Sequence, residues 1–243
     1  GKGAKMNREE ILKEKIASVI PDITDTQVAQ FIEYYEMIIE KNNFMNLTSI
    51  TEYEEFVVKH FLDSLQLVRV IDRKKLEENS LSLIDIGTGA GFPGIPLKIV
   101  FPKLDVTLFD SLNKRLVFLD EVIAKLGLSS IRTVHGRAEE FGRKEEFREK
   151  FDLVVSRAVA GLSSLAEFCI PFCRTDGYFV AYKGAKGLEE LDESKNALKL
   201  LNAKVDDKAV FFLDSEDNSR VLLKISCNSK YPRAGGKPLK NPL

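Results

Sequence analysis

The stretch Asp85-Ile-Gly-Thr-Gly-Ala-Gly-Phe-Pro-Gly94 follows directly on the apolar run Leu81-Ser-Leu-Ile84. Glycine at this density costs chain entropy, so it belongs where the backbone must take left-handed turns or pass close to another group. A short apolar run, a glycine-rich turn and a helix form the opening unit of open α/β sheets that hold a nucleotide. Gly89-Ala-Gly91-Phe-Pro-Gly94 matches the dinucleotide fingerprint GxGxxG, and Asp110 lies at the distance where an acidic residue receives a ribose. Two details pull the other way. Asp85, at the end of the strand, would repel a pyrophosphate and could receive an ammonium. Pro93, expected at the first helical position, removes an N–H that a pyrophosphate would use. A nucleoside carrying an amino acid fits better than one carrying phosphates. No GxxxxGK[ST] loop, HExxH, Cys/His cluster or GxSxG elbow is present.

The remaining pattern supports an α/β reading. From residue 81 onward, strand candidates at 82–86, 105–110, 131–135, 151–155, 176–182, 205–213 and 219–226 alternate with helical stretches. The helices are expected near 94–100, 113–126, 163–172 and 187–202, which predicts a seven-stranded, mostly parallel sheet. The gap Asp214–Asn218 is too short for a crossover, so the last two strands should form an antiparallel hairpin at the end of the sheet. Residues 1–80 read as a helical N-terminal cap on the domain 81–243. Its three helices are announced by the capping spacings Asn7/Glu10, Thr24/Gln27 and Thr51/Glu54. Val28, Phe31, Ile32, Tyr35, Ile38 and Ile39 form the apolar stripe of the second helix.

Composition narrows the setting. The three cysteines, Cys169, Cys173 and Cys227, form no CxxC pair and read as buried thiols of a reducing compartment. No apolar stretch has the length of a membrane helix. A cytoplasmic protein, monomeric and without metal, is expected. The net charge is −1, yet no acidic residue follows Asp217, while Arg220, Lys224, Lys230, Arg233, Lys237 and Lys240 do. Such an end suits a phosphate backbone or a solvated tail equally.

Read together, Asp85–Gly94, Leu108-Phe-Asp-Ser-Leu-Asn-Lys-Arg115, Ala138-Glu-Glu140 and Val155-Ser-Arg-Ala158 form a recognisable series. With Asn43-Phe-Met-Asn-Leu-Thr48 and the tail Lys230–Leu243, they resemble the bacterial small-subunit rRNA guanine-N7 methyltransferases, the glucose-inhibited division protein B family. The likeness runs from about residue 30 to the C-terminus, with Phe92 standing where many members carry Leu. It implies a class I methyltransferase (Rossmann-like) fold, S-adenosylmethionine as cofactor, and the 16S rRNA of the small ribosomal subunit as partner.

The same resemblance implies roles. Gly87, Gly89 and Gly91 pass the cofactor's methionine part, with Asp85 before them and Phe92 packed beside it. Asp110 takes the ribose, Ala138 and Glu139 take the adenine end, and Arg157 lies near the methionine, where it could position the reaction. Lys114, Arg115, Arg132, Arg137, Lys183, Arg233 and Lys237 are candidates for RNA phosphates. Alternatives stay open: Asp110 could cap the next helix, Arg157 could pair with Asp152 or Asp85, and Lys114 and Arg115 could be a surface helix. His60 could be a hydrogen-bonded structural histidine beside Asp63 and Ser64, and His135 should end a strand. Rival functions are an NAD-dependent oxidoreductase using the same loop and a non-catalytic RNA-binding ribosome-assembly factor.

Overall fold

The computed structural model describes residues 5–228, 233 and 236–243. Helix α1 (Arg8–Ile16) opens on Asn7, whose side chain accepts the Glu10 N–H at 2.8 Å. Helix α2 (Asp25–Lys41) carries both arms of the expected capping box between Thr24 and Gln27. Val28, Phe31, Tyr35 and Ile38 are buried along it. Tyr34, outside the predicted stripe, is buried completely.

The third helical segment differs from expectation. Its cap is Glu52 rather than Thr51: the Glu52 carboxylate accepts the N–H groups of Glu54 and Glu55, where a negative charge also complements the helix dipole. Helix α3 (Tyr53–Phe56) widens into a π-helical turn (Val57–Leu62), returns as α4 (Asp63–Leu65) and tightens into a 3-10 turn (Gln66–Arg69). A short α5 (Arg73–Glu78), unforeseen in the sequence, is capped by Asp72.

The chain then alternates β1 (Ser82–Ile86), α6 (Gly94–Val100), β2 (Asp105–Asp110), α7 (Asn113–Leu126), β3 (Ile131–His135), α8 (Ala138–Phe141) and β4 (Phe151–Ser156). It continues through α9 (Leu162–Cys169), a 3-10 turn (Ile170–Phe172), β5 (Cys173–Lys183), α10 (Gly187–Glu193), α11 (Lys195–Leu200), β6 (Ala203–Phe212) and β7 (Ser219–Cys227). The sheet order is β3-β2-β1-β4-β5-β7-β6, parallel from β3 to β5, with β7 antiparallel to both neighbours. The predicted terminal hairpin is present, and β7 is its inner arm. Val221, Leu222, Leu223 and Ile225 of β7 are buried, whereas Lys204, Asp206, Asp207 and Lys208 leave β6 suited to the edge.

Strand alternation divides the core in two. Leu83, Val106, Leu108, Val155 and Val180 face one side, where α6, α7 and the N-terminal helices cover them in one continuous cluster. Ile84, Ile86, Phe109, Val154 and Phe179 face the other, beneath α9 and α11. The same period of two places Asp85 on the side of Leu83 and Asp110 on the side of Leu108. Two carboxylates therefore end up under the helical extension, at the point where the strand order reverses between β1 and β4. Cys169, Cys173 and Cys227 are buried free thiols, as expected. Among the described residues, no helix is long and apolar enough to cross a membrane.

Candidate active site

The glycine loop leaves β1 with Gly87, Gly89 and Gly91 all at positive φ (73°, 57° and 106°). Only at Gly89 does a side chain's place stand empty: no heavy atom lies within 4 Å of where its Cβ would be. Gly91 is a packing position, because a Cβ there would meet the Tyr34 hydroxyl at 2.4 Å. That hydroxyl donates to the Ala90 carbonyl at 2.5 Å, so α2 braces the loop from outside the sheet. Pro93 is the cap of α6, one place earlier than expected, after a cis Phe92–Pro93 peptide.

The loop's N–H groups are turned inward. Those of Gly87 and Thr88 donate to the Phe109 carbonyl, and those of Gly91 and Phe92 to the Thr88 carbonyl. Gly89 donates to Asp110 Oδ2 at 2.9 Å and Gly94 to Asp85 Oδ2 at 2.9 Å. Of the non-proline residues from Gly87 to Gly94, Ala90 alone donates its N–H to no acceptor among the described residues. A pyrophosphate cradle needs several converging free amides, and this loop does not offer them.

Asp85 is fully buried, and its Oδ2 also accepts the Thr88 hydroxyl at 2.8 Å. Its Oδ1 is buried without a hydrogen-bond partner, a rare and costly state for a carboxylate oxygen. Burial pushes the Asp85 carboxyl up to about 7, against the Thr88 and Gly94 hydrogen bonds that favour its charge. The folded chain therefore binds a proton that the unfolded chain releases above 3.8, so Asp85 lowers stability as pH rises from about 4 to about 7. Asp85→Asn should gain on the parent chain across that window, by about 1.4 kcal/mol per pH unit at most. Denaturant titrations near both ends check this, and a difference that does not change with pH would refute it.

Asp110 is buried at the end of β2. Its Oδ1 accepts the Leu112 N–H at 2.9 Å, so it tethers the start of α7 as well as Gly89. The Arg115 guanidinium stands 3.7 Å away. Ala138 is buried at the start of α8, and Glu139 beside it is half-buried, 3.9 Å from Arg137. An unpaired buried carboxylate oxygen, a second acid on the neighbouring strand and open space over Gly89 fit the ammonium, ribose and methionine chain of S-adenosylmethionine.

Phe92 and Arg157 are drawn away from the loop's open side. Phe92 is buried, stacked on His60 with ring centroids 4.5 Å apart and planes 3° apart. Arg157 lies over the same phenyl ring at 5.3 Å. Its partner is neither Asp152 nor Asp85 but Asp63, with Nη1 donating to Oδ2 at 2.8 Å. Its Nη2 is 3.1 Å from His60 Nδ1. Because a guanidinium only donates, Nδ1 accepts, and the proton sits on Nε2, 2.8 Å from the Thr48 hydroxyl. Asn42 holds Thr48 there by bonding the Leu47 and Thr48 backbone. Burial, then Arg157 and Lys59, lower the His60 pKa to about 3, so the ring is neutral at physiological pH. The sequence suggested a structural His60; its link to Arg157 was not visible there.

The cationic candidates divide. Lys114, Arg132 and Arg137 are exposed, Arg115 is half-buried, and Lys237 is exposed. Arg132 also lies over the Phe147 ring and donates to Thr107. Lys183 is buried, donating to the Ala160 carbonyl at 2.5 Å and pairing with Glu190 at 3.1 Å, so it is no surface contact for a phosphate. Arg233 likewise grips buried Glu167 through two hydrogen bonds of 2.9 and 3.1 Å. Lys230 lies outside the described residues. His135 ends β3, its ring nitrogen 3.0 Å from the Ser111 carbonyl. Among the described residues, no cluster of three or more His, Cys, Asp or Glu could hold a metal ion.

Known proteins resemble this chain in fold and in sequence. The structure resembles the fibrillarin pre-rRNA processing protein of Methanococcus jannaschii (TM-score 0.52, 16% identity, 68% of this chain and 73% of that one). It also resembles the YcgJ protein of Bacillus subtilis (TM-score 0.52, 11% identity, 70% of this chain and 100% of that one). At such identities these likenesses concern the fold alone. In sequence, the chain is 54% identical to ribosomal RNA small subunit methyltransferase G of Lachnoclostridium phytofermentans, covering 91% of this chain and 92% of that one. It is 47% identical to the protein of the same name from Alkaliphilus metalliredigens, over 98% and 100%. The family model described as rRNA small subunit methyltransferase G matches residues 27–219. The chain belongs to that family, rRNA small subunit methyltransferase G, whose members use S-adenosylmethionine.

Proposed function

We propose that this chain transfers a methyl group from S-adenosylmethionine to N7 of a guanine in the 16S rRNA of the small ribosomal subunit, in the cytoplasm. Family membership supports the reaction class, and the motif series read in the sequence supports guanine N7. The observation that carries the cofactor reading is the loop whose amides are already engaged while Asp85 Oδ1 is not. It argues against the same loop serving a dinucleotide.

When bound, S-adenosylmethionine supplies a methyl group on a sulfonium, open to in-line attack. Guanine N7 keeps a lone pair at neutral pH, so no proton has to be removed before attack. The residues here match that demand. His60, kept neutral and hydrogen-bonded on both nitrogens, has no free site with which to act as a base. Asp85 has Oδ2 held by Thr88 and Gly94, and its Oδ1 is the atom that would meet the cofactor's ammonium, so it is no free base for the guanine. The chain's contribution is then to hold the two partners in line and to exclude water. Asp85 would receive the ammonium and Asp110 the ribose, with Ala138 and Glu139 at the adenine end. Exposed Lys114 and Arg137, with half-buried Arg115, follow β2 and β3 and would meet phosphates. N7 of a paired guanine lies in the deep major groove of A-form RNA, so the target should be irregular or splayed out.

Incubating the protein with labelled S-adenosylmethionine and small subunits lacking the modification should place label on one nucleotide that becomes cleavable after borohydride and aniline. Label on a nucleotide that resists this cleavage would overturn N7. Stabilisation by NADH but not by S-adenosylhomocysteine would overturn the cofactor.

A further inference from the structure

Beside the glycine loop, a cleft of about 260 Å³ opens between the π-helical turn, the ends of β4 and β5 and the start of β7. Arg157 forms its near wall, and the residue after Arg157 brings its Cβ within 3.4 Å of where a Gly87 side chain would begin. The cleft therefore shares a partition with the cofactor loop. Ile50 and Leu222 give it apolar sides, and the Tyr182 hydroxyl closes its floor by donating to the Ser64 carbonyl at 2.8 Å. At its centre is Asp63, 7% exposed, with one oxygen held by Arg157 and the other by Arg220 Nε at 3.2 Å. Arg220 Nη1 donates to the Ser219 carbonyl at 2.9 Å, and its Nη2 has no partner among the described residues.

We propose that this cleft receives the flipped-out target guanine and that Arg220 reads its O6. The inference rests on the proposed guanine-N7 reaction. A base that undergoes chemistry must leave its stack and enter a pocket next to the reactive group, as this one is next to the loop. On the guanine edge, O6 lies beside N7, so a donor that holds O6 also aims N7. Adenine presents an amino donor at that place and would face a guanidinium with nothing to accept. A backbone phosphate suits the cleft less well. Lys59 and Lys183 also line the cleft. Lys59 is paired with Glu55, Lys183 with Glu190 and Arg157 with Asp63, so little cationic charge is left over for a phosphate, and Ile50 and Leu222 would contribute nothing to it. Asp63 is then a positioning residue, fixing both arginines, and Arg220 is a specificity-determining one.

The test uses reconstituted small subunits in which the guanosine that the wild-type protein methylates is replaced by inosine or by 2-aminopurine riboside. Inosine keeps O6 and 2-aminopurine lacks it. Wild-type protein should methylate inosine nearly as well as guanosine and should prefer both over 2-aminopurine by at least about tenfold. Arg220→Met should bind S-adenosylhomocysteine as wild type does, since Asp63 keeps Arg157, and its preference should fall to about twofold or less. Ile50→Trp, which fills the cleft from its apolar side, should bind S-adenosylhomocysteine normally and lose at least about tenfold in methyl transfer. An unchanged guanosine preference in Arg220→Met, even with weaker binding to every substrate, would overturn the assignment and mark Arg220 as a backbone contact. So would a fully active Ile50→Trp. Absence of guanosine methylation by the wild-type protein would count instead against the reaction on which the assignment rests.

Discussion

Gly91→Val should lose most of its folding stability, whereas Gly89→Val, two residues earlier in the same loop, should fold and fail to bind cofactor. At Gly91 the added carbon meets Tyr34 Oη at 2.4 Å and Ile95 Cδ1 at 2.9 Å, at a φ of 106° that a β-branched residue strongly resists. Backbone strain of about 1–3 kcal/mol, overpacking of about 1–3 kcal/mol and loss of the Tyr34–Ala90 hydrogen bond, about 1 kcal/mol, act together. A total near 5 kcal/mol is a large share of the ~5–15 kcal/mol that holds a domain folded. At Gly89 only strain applies, about 1–3 kcal/mol, since its Cβ would enter open space. That space is the one the cofactor needs, and S-adenosylhomocysteine affinity should drop by at least about tenfold, or 1.4 kcal/mol. Denaturant unfolding and calorimetric titration separate the two. A Gly91→Val variant as stable as the parent, or a Gly89→Val variant with parental affinity, would show that the loop is built differently.

Arg233→Ala should also destabilise the protein, by about 3–5 kcal/mol, because it strands a buried charge. Glu167 is 1% exposed and both of its oxygens are held by Arg233. The guanidinium additionally donates to the Asn241 carbonyl, so it closes the C-terminal tail onto α9. Glu167→Gln in the Arg233→Ala background should restore part of the loss by removing the charge. Lys237→Ala, at an exposed position, should leave stability within about 0.5 kcal/mol. If Arg233→Ala unfolds at the parental denaturant concentration and weakens only rRNA binding, the tail is an RNA contact and not a clasp.

The sheet was legible because its strands are short apolar runs between turn residues. The boundaries of β1, β2 and β3 follow from the residues at 82–86, 105–110 and 131–135. The N-terminal helices were harder to read. Thr51 has the right spacing to Glu54, but its carbonyl is occupied by the Tyr35 hydroxyl and the acidic side chain of Glu52 caps better. The π-helical turn leaves no trace in an apolar periodicity. In the site, Asp85, Gly89 and Asp110 announced themselves through position in the loop and at the strand end. Asp63 and Arg220, which are 157 residues apart, did not, because only the folded sheet brings β7 against the helical extension. Charge was the poorest guide: Lys183 and Arg233 look like surface cations in the sequence, and each answers a buried or half-buried carboxylate.

The inward-turned amides of the glycine loop also bear on the rate of turnover. A loop that satisfies its own hydrogen bonds and is braced by Tyr34 should keep its shape when a guest arrives. No loop hydrogen bond would then have to be made on arrival or broken on departure, and the exchange of spent cofactor for fresh should need no closing motion of the loop. Arrival of the cofactor should then proceed at a rate set by encounter, and its residence time by dissociation alone. The slow steps of the cycle should then lie with the RNA, which must present and withdraw its base.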